Sequence, residues 1–284
     1  MRVMQGRNSK LSNCWTRYLA SRRAGDQLRI ALGIEYDGTA YNGWQRQNTG
    51  LGVQQRLEEA LNKVADHAVE VTCAGRTDTG VHATGQVVHF DTASMRDDRG
   101  WLLGANSNLP DDISVTWARH VDDDFHARFT ATGRNYRYRI LNRLERSALY
   151  RHRAWWVYSP LDAEQMHEAA QHLIGEHDFS AFRAAGCRAN TAQRNITKLS
   201  VARDGDWITL EVSANAFLQH MVRNITGSLA TVGEGERPSE WVAEVLRSRD
   251  RKKGGIAAPP HGLTLVSVDY PLSAKIPAPP TSCT

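Results

Sequence analysis

The sequence has few of the features that mark secreted, metal-binding or membrane-spanning proteins. Its four cysteines lie far apart, and no two of them have the spacing of a zinc site or a redox motif. Scattered cysteines are typical of a reducing compartment, so we expect a cytoplasmic protein. No uninterrupted apolar run is long enough to cross a bilayer, and we therefore expect no membrane association.

Acidic residues are missing from the start of the chain. Residues 1–26 carry several Lys and Arg side chains but no acid before Asp26, and they show no sustained apolar period. This composition fits a phosphate-binding tail, a transit-like segment, or an unstructured extension that follows an early start codon. We expect a disordered basic extension.

The rest of the composition is that of a globular protein. With 41% hydrophobic and 23% charged residues, 284 residues can form one large or two modest domains. A net charge of +4, mostly from arginine, allows a polyanionic partner without requiring one. The charged segment 142–150 has no clear period. We therefore expect two halves, residues 27–145 and 146–272, followed by a Pro-rich tail over residues 273–284.

Hydrophobic periods predict a mixture of strands and helices. Alternation predicts a strand over residues 28–34, and apolar residues at helical spacing predict a helix over residues 53–64. In the second half a helix should begin at Asp162, and a hairpin should turn at residues 204–206. Such a mixture indicates an α+β protein.

One predicted strand separates aromatic from basic side chains. Over residues 134–140, Tyr136 and Tyr138 share one face, while Arg137 and Arg139 share the other. Aromatic rings stack on bases and guanidinium groups bind phosphate, so the pattern fits single-stranded or flipped-out nucleotides. A strand with its tyrosines in the core and its arginines in water fits equally well.

Two loops are further candidates for nucleic-acid contacts. Tyr41 and Trp44 lie in a polar loop, where they can stack on bases or pack onto the core. Residues 183–194 contain three arginines, among them Arg183 and Arg188, and no acid. They form either a basic binding surface or an ordinary solvated loop.

Residues 74–90 are the best candidate for a catalytic segment. Asp78 lies between two threonines, close to several glycines, just before an apolar run that predicts a strand. Glycine permits tight turns and close ligand approach, and loops held by a sheet commonly carry catalytic groups. An ordinary turn remains an alternative. So does a metal site with His82 and His89, although both histidines are equally suited to structural hydrogen bonds.

A predicted helix over residues 215–232 contains a buried cation. Its apolar face is separate from a stripe on which Asn215, Gln219 and Arg223 lie four residues apart. A charge on a well-packed helix normally needs a partner. We therefore expect Arg223 to bind an acidic group.

The string Gly75-Arg-Thr-Asp-Thr-Gly-Val-His82 closely resembles the signature of the tRNA pseudouridine synthase I family. Further blocks resemble the family in the same order, so that the resemblance covers residues 27–272: Asp37 to Gln47, His126 to Phe129, Tyr136 to Tyr138, Phe179 to Arg183, Phe217 to Ile225 and Ala258 to Leu263. The resemblance implies a pseudouridine synthase fold, in which two α+β halves share a central, mostly antiparallel sheet with a catalytic cleft between them.

The resemblance also implies an activity and its residues. Uridine in the anticodon stem-loop of tRNA would be isomerised, with Asp78 attacking either uracil C6 or the ribose anomeric carbon. Arg223 would pair with Asp78 and keep it ionised. Tyr136 would stack on the target base and assist proton transfer, and Leu263 would pack near that base. Arg76 would fill the space left by the flipped nucleotide or bind its phosphate.

Further partners follow from the same resemblance. Arg137, Arg183 and Arg188 are candidates for contacts with the tRNA backbone. The protein should be a homodimer on which tRNA spans both subunits, and it should need no metal or cofactor. A protein that only binds RNA would explain the Arg and Tyr pattern but would leave Asp78 without a role.

Overall fold

The computed structural model describes residues 27–277. The basic extension expected over residues 1–26 and the end of the chain from residue 278 lie outside the described residues. A single sheet of ten strands organises the fold. The strands are β1 (Leu28–Tyr36), β2 (Thr72–Cys73), β3 (His82–Thr92), β4 (Ile113–Val121), β5 (Gly133–Asn142), β6 (Trp155–Val157), β7 (Gly175–Asp178), β8 (Gln193–Asp204), β9 (Trp207–Ala214) and β10 (Leu263–Asp269).

The strands follow the order β4-β1-β3-β10-β5-β9-β8-β7, with β2 beside β3 and β6 beside β5. All neighbouring pairs are antiparallel except β3 with β10 and β5 with β6. The last strand, β10, therefore lies between two strands from the first half of the chain. This arrangement confirms the expected α+β fold with a mostly antiparallel sheet.

Five α-helices accompany the sheet in the described part of the chain: α1 (Val53–Ala65), α2 (Asp98–Asn106), α3 (Ala163–Gln171), α4 (Met221–Gly233) and α5 (Trp241–Ser248). The carboxylate of Asp162 accepts hydrogen bonds from the backbone N–H groups of Glu164 and Gln165, so α3 begins where the sequence predicted. None of the described helices is long and apolar enough to span a membrane.

The polar loop after β1 is packed inward. Tyr41 and Trp44 are almost completely buried, and the Tyr41 hydroxyl donates a hydrogen bond to Asp112. Both aromatic side chains therefore pack onto the core, which is the second of the two expectations for this loop. At the other end of the chain, Ala274 and Ile276 pack against the core, so the tail expected from residue 273 is anchored at its start.

Candidate active site

Asp78 lies on the loop that connects β2 to β3, which we call the Asp78 loop (residues 74–81). Its neighbour Thr77 is held from two sides, because the Thr77 hydroxyl is 2.7 Å from the Tyr36 hydroxyl and the Trp44 N–H donates to the Thr77 carbonyl at 3.0 Å. Gly43 lies against the same carbonyl, and a Cβ there would approach it to 2.7 Å. The loop is thus fixed by the residues that surround Asp78.

Burial and two basic side chains act on the charge of Asp78. The side chain is 26% exposed, and its Oδ2 lies 3.7 Å from Nε2 of His220. Burial raises the pKa of Asp78, while the positive charges of His220 and Arg223 oppose that rise without cancelling it. The carboxyl group is therefore harder to ionise than an exposed aspartate, and it depends on its basic neighbours.

Arg223 acts on Asp78 from a greater distance than expected. Its Nε donates to the Ala258 carbonyl at 2.7 Å, and its own carbonyl accepts from the Ala258 N–H at 3.0 Å. Among the described residues the ion pair of Asp78 is with His220, so the direct pair with Arg223 is not formed. Helix α4 begins only at Met221, after a left-handed residue at His220 (φ 61°), and this turn brings the imidazole to the carboxylate.

The late start of α4 corrects the sequence prediction for this helix. Asn215 and Gln219 precede the helix and do not share a helical stripe with Arg223. Sequence reasoning did not single out His220 as a site residue, although it lies inside the family block Phe217 to Ile225. The signal that could have identified His220 is its position as a titratable residue three places before Arg223, the cation expected to pair with Asp78.

Tyr136 lies close to Asp78 on strand β5. Its ring is buried and meets Phe217 edge to face, with 5.1 Å between the ring centroids. Burial raises the pKa of Tyr136, and the negative charge of Asp78 raises it further. The phenol is therefore neutral and can offer its ring and its hydroxyl to a neighbouring base.

Leu263 is the buried first residue of β10 and pairs in register with Tyr138. The segment just before it closes the site, because Pro260 lies against Gly80, where an added Cβ would come within 3.2 Å of the proline ring. Gly80 itself has a positive φ of 76°, which glycine adopts without strain. The structure thus brings together the Asp78 loop, β5, the start of α4 and the start of β10.

The expected arginines occupy different environments. Arg76 is exposed two residues from Asp78, and Arg188 is exposed on residues 183–194, which we call the arginine loop. The guanidinium of Arg183 donates to the carbonyls of Cys187 and Ala189 in the same loop.

Arg137 lies on the face of β5 opposite Tyr136. It forms an ion pair with Glu211 at 3.1 Å. Of the arginines expected to contact RNA, Arg76 alone belongs to the Asp78 loop, and Arg137 is engaged elsewhere.

Both histidines considered as metal ligands bind the backbone. Nδ1 of His82 accepts from the Gly38 N–H at 3.0 Å, and Nδ1 of His89 accepts from the Ala127 N–H at 3.1 Å. Within residues 27–277, no group of three or more His, Cys, Asp or Glu side chains could hold a metal ion. The ligand set that a metal hydrolase requires is therefore not assembled around Asp78.

The fold and the site define an α+β enzyme whose partly buried aspartate faces a histidine and lies within the electrostatic reach of an arginine and a tyrosine. The model of the tRNA pseudouridine synthase family matches residues 33–130 and 169–271. The chain belongs to this family. The matched ranges contain Asp78, Arg223 and Leu263, and Tyr136 lies between them.

Relatives from several bacteria carry the name tRNA pseudouridine synthase A. The protein from Pseudoalteromonas atlantica is 57% identical over 88% of this chain and 95% of its own length. The relative from Aeromonas hydrophila is 56% identical, with 89% and 94% covered, and the relative from Coxiella burnetii is 53% identical, with 89% and 97% covered. The similarity therefore extends over nearly the whole of each relative.

Proposed function

We propose that this protein isomerises uridine to pseudouridine in the anticodon stem-loop of tRNA, with Asp78 as the nucleophile. The observation that carries the proposal is the position of the Asp78 carboxylate, which faces His220 at 3.7 Å, feels the charge of Arg223 and lies close to Tyr136. A carboxylate is nucleophilic only when ionised, and the two basic neighbours favour that form against burial.

The reaction replaces the bond between the ribose and a nitrogen of uracil with a bond between the ribose and a carbon of uracil. Asp78 forms a bond to either uracil C6 or the ribose anomeric carbon, the bond between the uracil nitrogen and the ribose breaks, and the base rotates and bonds to the ribose through a ring carbon. The bond to Asp78 then breaks, which releases the carboxylate, and the nitrogen freed from the ribose takes up a proton. The ring carbon that forms the new bond then loses its proton. Tyr136 and His220 are the groups beside Asp78 that can handle this proton.

The target base must leave the RNA stack to reach Asp78. Extrusion costs on the order of a few kcal/mol, and stacking on Tyr136 offsets roughly 1 to 3 kcal/mol of it. Leu263 adds apolar contact beside the base. Arg76 is exposed on the Asp78 loop, where it fills the vacated space or binds the phosphate. Arg188 and Arg183 are further proposed contacts for the tRNA backbone, and Arg137 is a more distant one.

The test is the isosteric variant Asp78→Asn together with Asp78→Ala. Pseudouridine formation in an unmodified tRNA transcript should fall by at least about 10⁴-fold, while tRNA affinity and folding are retained. Asp66→Asn is the matched control, because Asp66 is an exposed left-handed residue at the end of α1, a conformation that Asn also adopts. Substantial turnover by either Asp78 variant would refute the assignment.

The same assay separates the rival functions. Full activity in excess chelator is expected for a carboxylate nucleophile, whereas loss with chelator supports metal-dependent chemistry. No product under any condition, with tRNA still bound, supports a protein that only binds RNA.

Assembly and location complete the proposal. We infer a cytoplasmic homodimer on which tRNA spans both subunits. Scattered cysteines and a tRNA substrate support the location. Exposed apolar side chains at Leu144, Leu149, Trp156 and Tyr158, between the end of β5 and just beyond β6, support a contact between two copies. The molecular mass in solution tests the dimer.

A further inference from the structure

Three aromatic rings form a stack that runs from the core to the surface. The ring centroids of His89 and His126 are 4.7 Å apart, and those of His126 and Phe129 are 4.3 Å apart. Relative exposure rises from 6% at His89 to 75% at Phe129. The outermost ring of this stack is therefore open to solvent, although it has an aromatic ring beneath it.

Backbone hydrogen bonds fix the ring stack. Nδ1 of His126 accepts from the N–H groups of Arg128 and Phe129 at 3.1 and 3.2 Å, and Nδ1 of His89 accepts from the Ala127 N–H. Burial lowers the pKa of His126 and lowers that of His89 to about 4, so both imidazoles are neutral and keep an acceptor nitrogen. Phe129 thus needs little ordering before it binds a planar partner.

Arg134 ties the ring stack to the candidate active site. One nitrogen of its guanidinium, Nη2, donates to the Ala74 carbonyl at 3.0 Å and to the Arg128 carbonyl at 2.7 Å. Ala74 begins the Asp78 loop. The positive charges of Arg76 and Arg128 also both act on the Cys73 thiol, whose pKa they lower against the effect of burial. The backbone beside Phe129 is therefore joined to the start of the Asp78 loop through one guanidinium nitrogen, with two further arginines nearby.

We propose that Phe129 is a platform on which an unpaired base of the tRNA stacks while the target uridine is in the cleft, with Arg128 binding the adjoining phosphate. The inference rests on the proposed function. An exposed aromatic ring is unfavourable in water, and a base would extend the stack by one member. The guanidinium of Arg128, 5.5 Å from the centre of the Phe129 ring, favours a polyanion over an apolar protein surface.

The test compares Phe129→Ala with Phe129→Tyr. In an Asp78→Asn background, which prevents conversion, Phe129→Ala should raise the Kd for an unmodified tRNA transcript about tenfold, and Phe129→Tyr should restore most of the affinity. With Asp78 intact, kcat at saturating tRNA should stay within about twofold for Phe129→Ala, because the ring acts in binding. Met95→Ala, which removes another exposed apolar side chain (63%), is the control and should leave Kd unchanged.

Three outcomes would overturn the platform: an unchanged Kd in Phe129→Ala, an equal loss of affinity in Phe129→Tyr, or a change in the mass of the free protein with Kd unchanged. The last outcome would assign Phe129 to contacts between protein chains. The catalytic proposal fails on a different measurement. Full turnover by Asp78→Asn would refute the role of Asp78, while Phe129→Ala would still raise the Kd for tRNA.

Discussion

The Asp78 loop and the arginine loop are both polar connections near the start of α4, yet they use their charged side chains in opposite ways. In the arginine loop, Arg183 donates to the carbonyls of two residues of its own loop. Arg194, where the loop passes into β8, donates to the carbonyls of Thr191 and Gln193. In the Asp78 loop, Arg76 is exposed and Asp78 faces a histidine from another element.

The difference shows that the charge content of a loop does not measure what it offers to a ligand. An arginine that satisfies carbonyls of its own loop fixes the shape of that loop and has fewer donors left for phosphate. The arginine loop looked the more basic surface in the sequence, but of its three arginines only Arg188 is exposed. Three predictions test this comparison.

The largest effect is expected when Arg223 is replaced, because this arginine of α4 acts on Asp78 from a distance. Arg223→Gln should lower turnover on the order of 10²-fold, because it removes a positive charge that keeps Asp78 ionised. The pKa of Asp78 should rise further, so the acid limb of the kcat/KM profile should move to higher pH. A pH–rate series with tRNA measures both changes.

Arg223→Lys is the control for this prediction. It retains the charge but loses the Nε hydrogen bond to Ala258, so it separates electrostatics from the support of the segment before β10. Partial recovery of the rate and of the acid limb is expected. A wild-type rate in Arg223→Gln would show that the cation has no part in the reaction.

An intermediate effect is expected when Arg183, which bonds within its own loop, and Arg76, which is exposed, are each replaced by alanine. Arg183→Ala leaves the Cys187 and Ala189 carbonyls without their donor, so it should lower the free energy of unfolding by roughly 1 kcal/mol and change the Kd for tRNA little. Arg76→Ala should leave stability unchanged but raise that Kd several-fold. Denaturant titrations and tRNA binding, measured on both variants, give the comparison. The contrast between the two loops would be refuted if Arg183→Ala weakened tRNA binding more than Arg76→Ala did.

Local patterns predicted much of the fold. The alternation in β1, the β8–β9 hairpin and the Asp162 cap of α3 are signals within a few residues, and the structure has all three. The parallel pairing of β10 with β3 has no such signal, because it joins residues far apart in the chain. Pairing of this kind depends on the packing of the whole sheet.

The candidate site was likewise predictable only in part. The residues themselves indicated Asp78, and the family resemblance supplied Tyr136, Arg223 and Leu263 as its neighbours. Neither could predict that a left-handed residue before α4 would bring His220 to the carboxylate while Arg223 bonds to Ala258. Backbone conformation at one residue decides this arrangement. His is enriched at positive φ, but residues other than glycine adopt it uncommonly, so the sequence does not reveal this turn.

The smallest effect concerns stability, and it tests the electrostatic environment of Asp78. Because the pKa of Asp78 is raised in the folded protein, the folded state binds this proton more tightly than the unfolded chain does. The contribution of Asp78 to stability should therefore fall as pH rises from about 4, the usual range of an aspartate, through the folded pKa. Asp78→Asn escapes this cost, so it should be slightly more stable than wild type at pH 7, with the difference vanishing below about pH 4. Chemical denaturation of both proteins at these pH values measures it, and a less stable variant at pH 7 would mean that His220 and Arg223 outweigh burial.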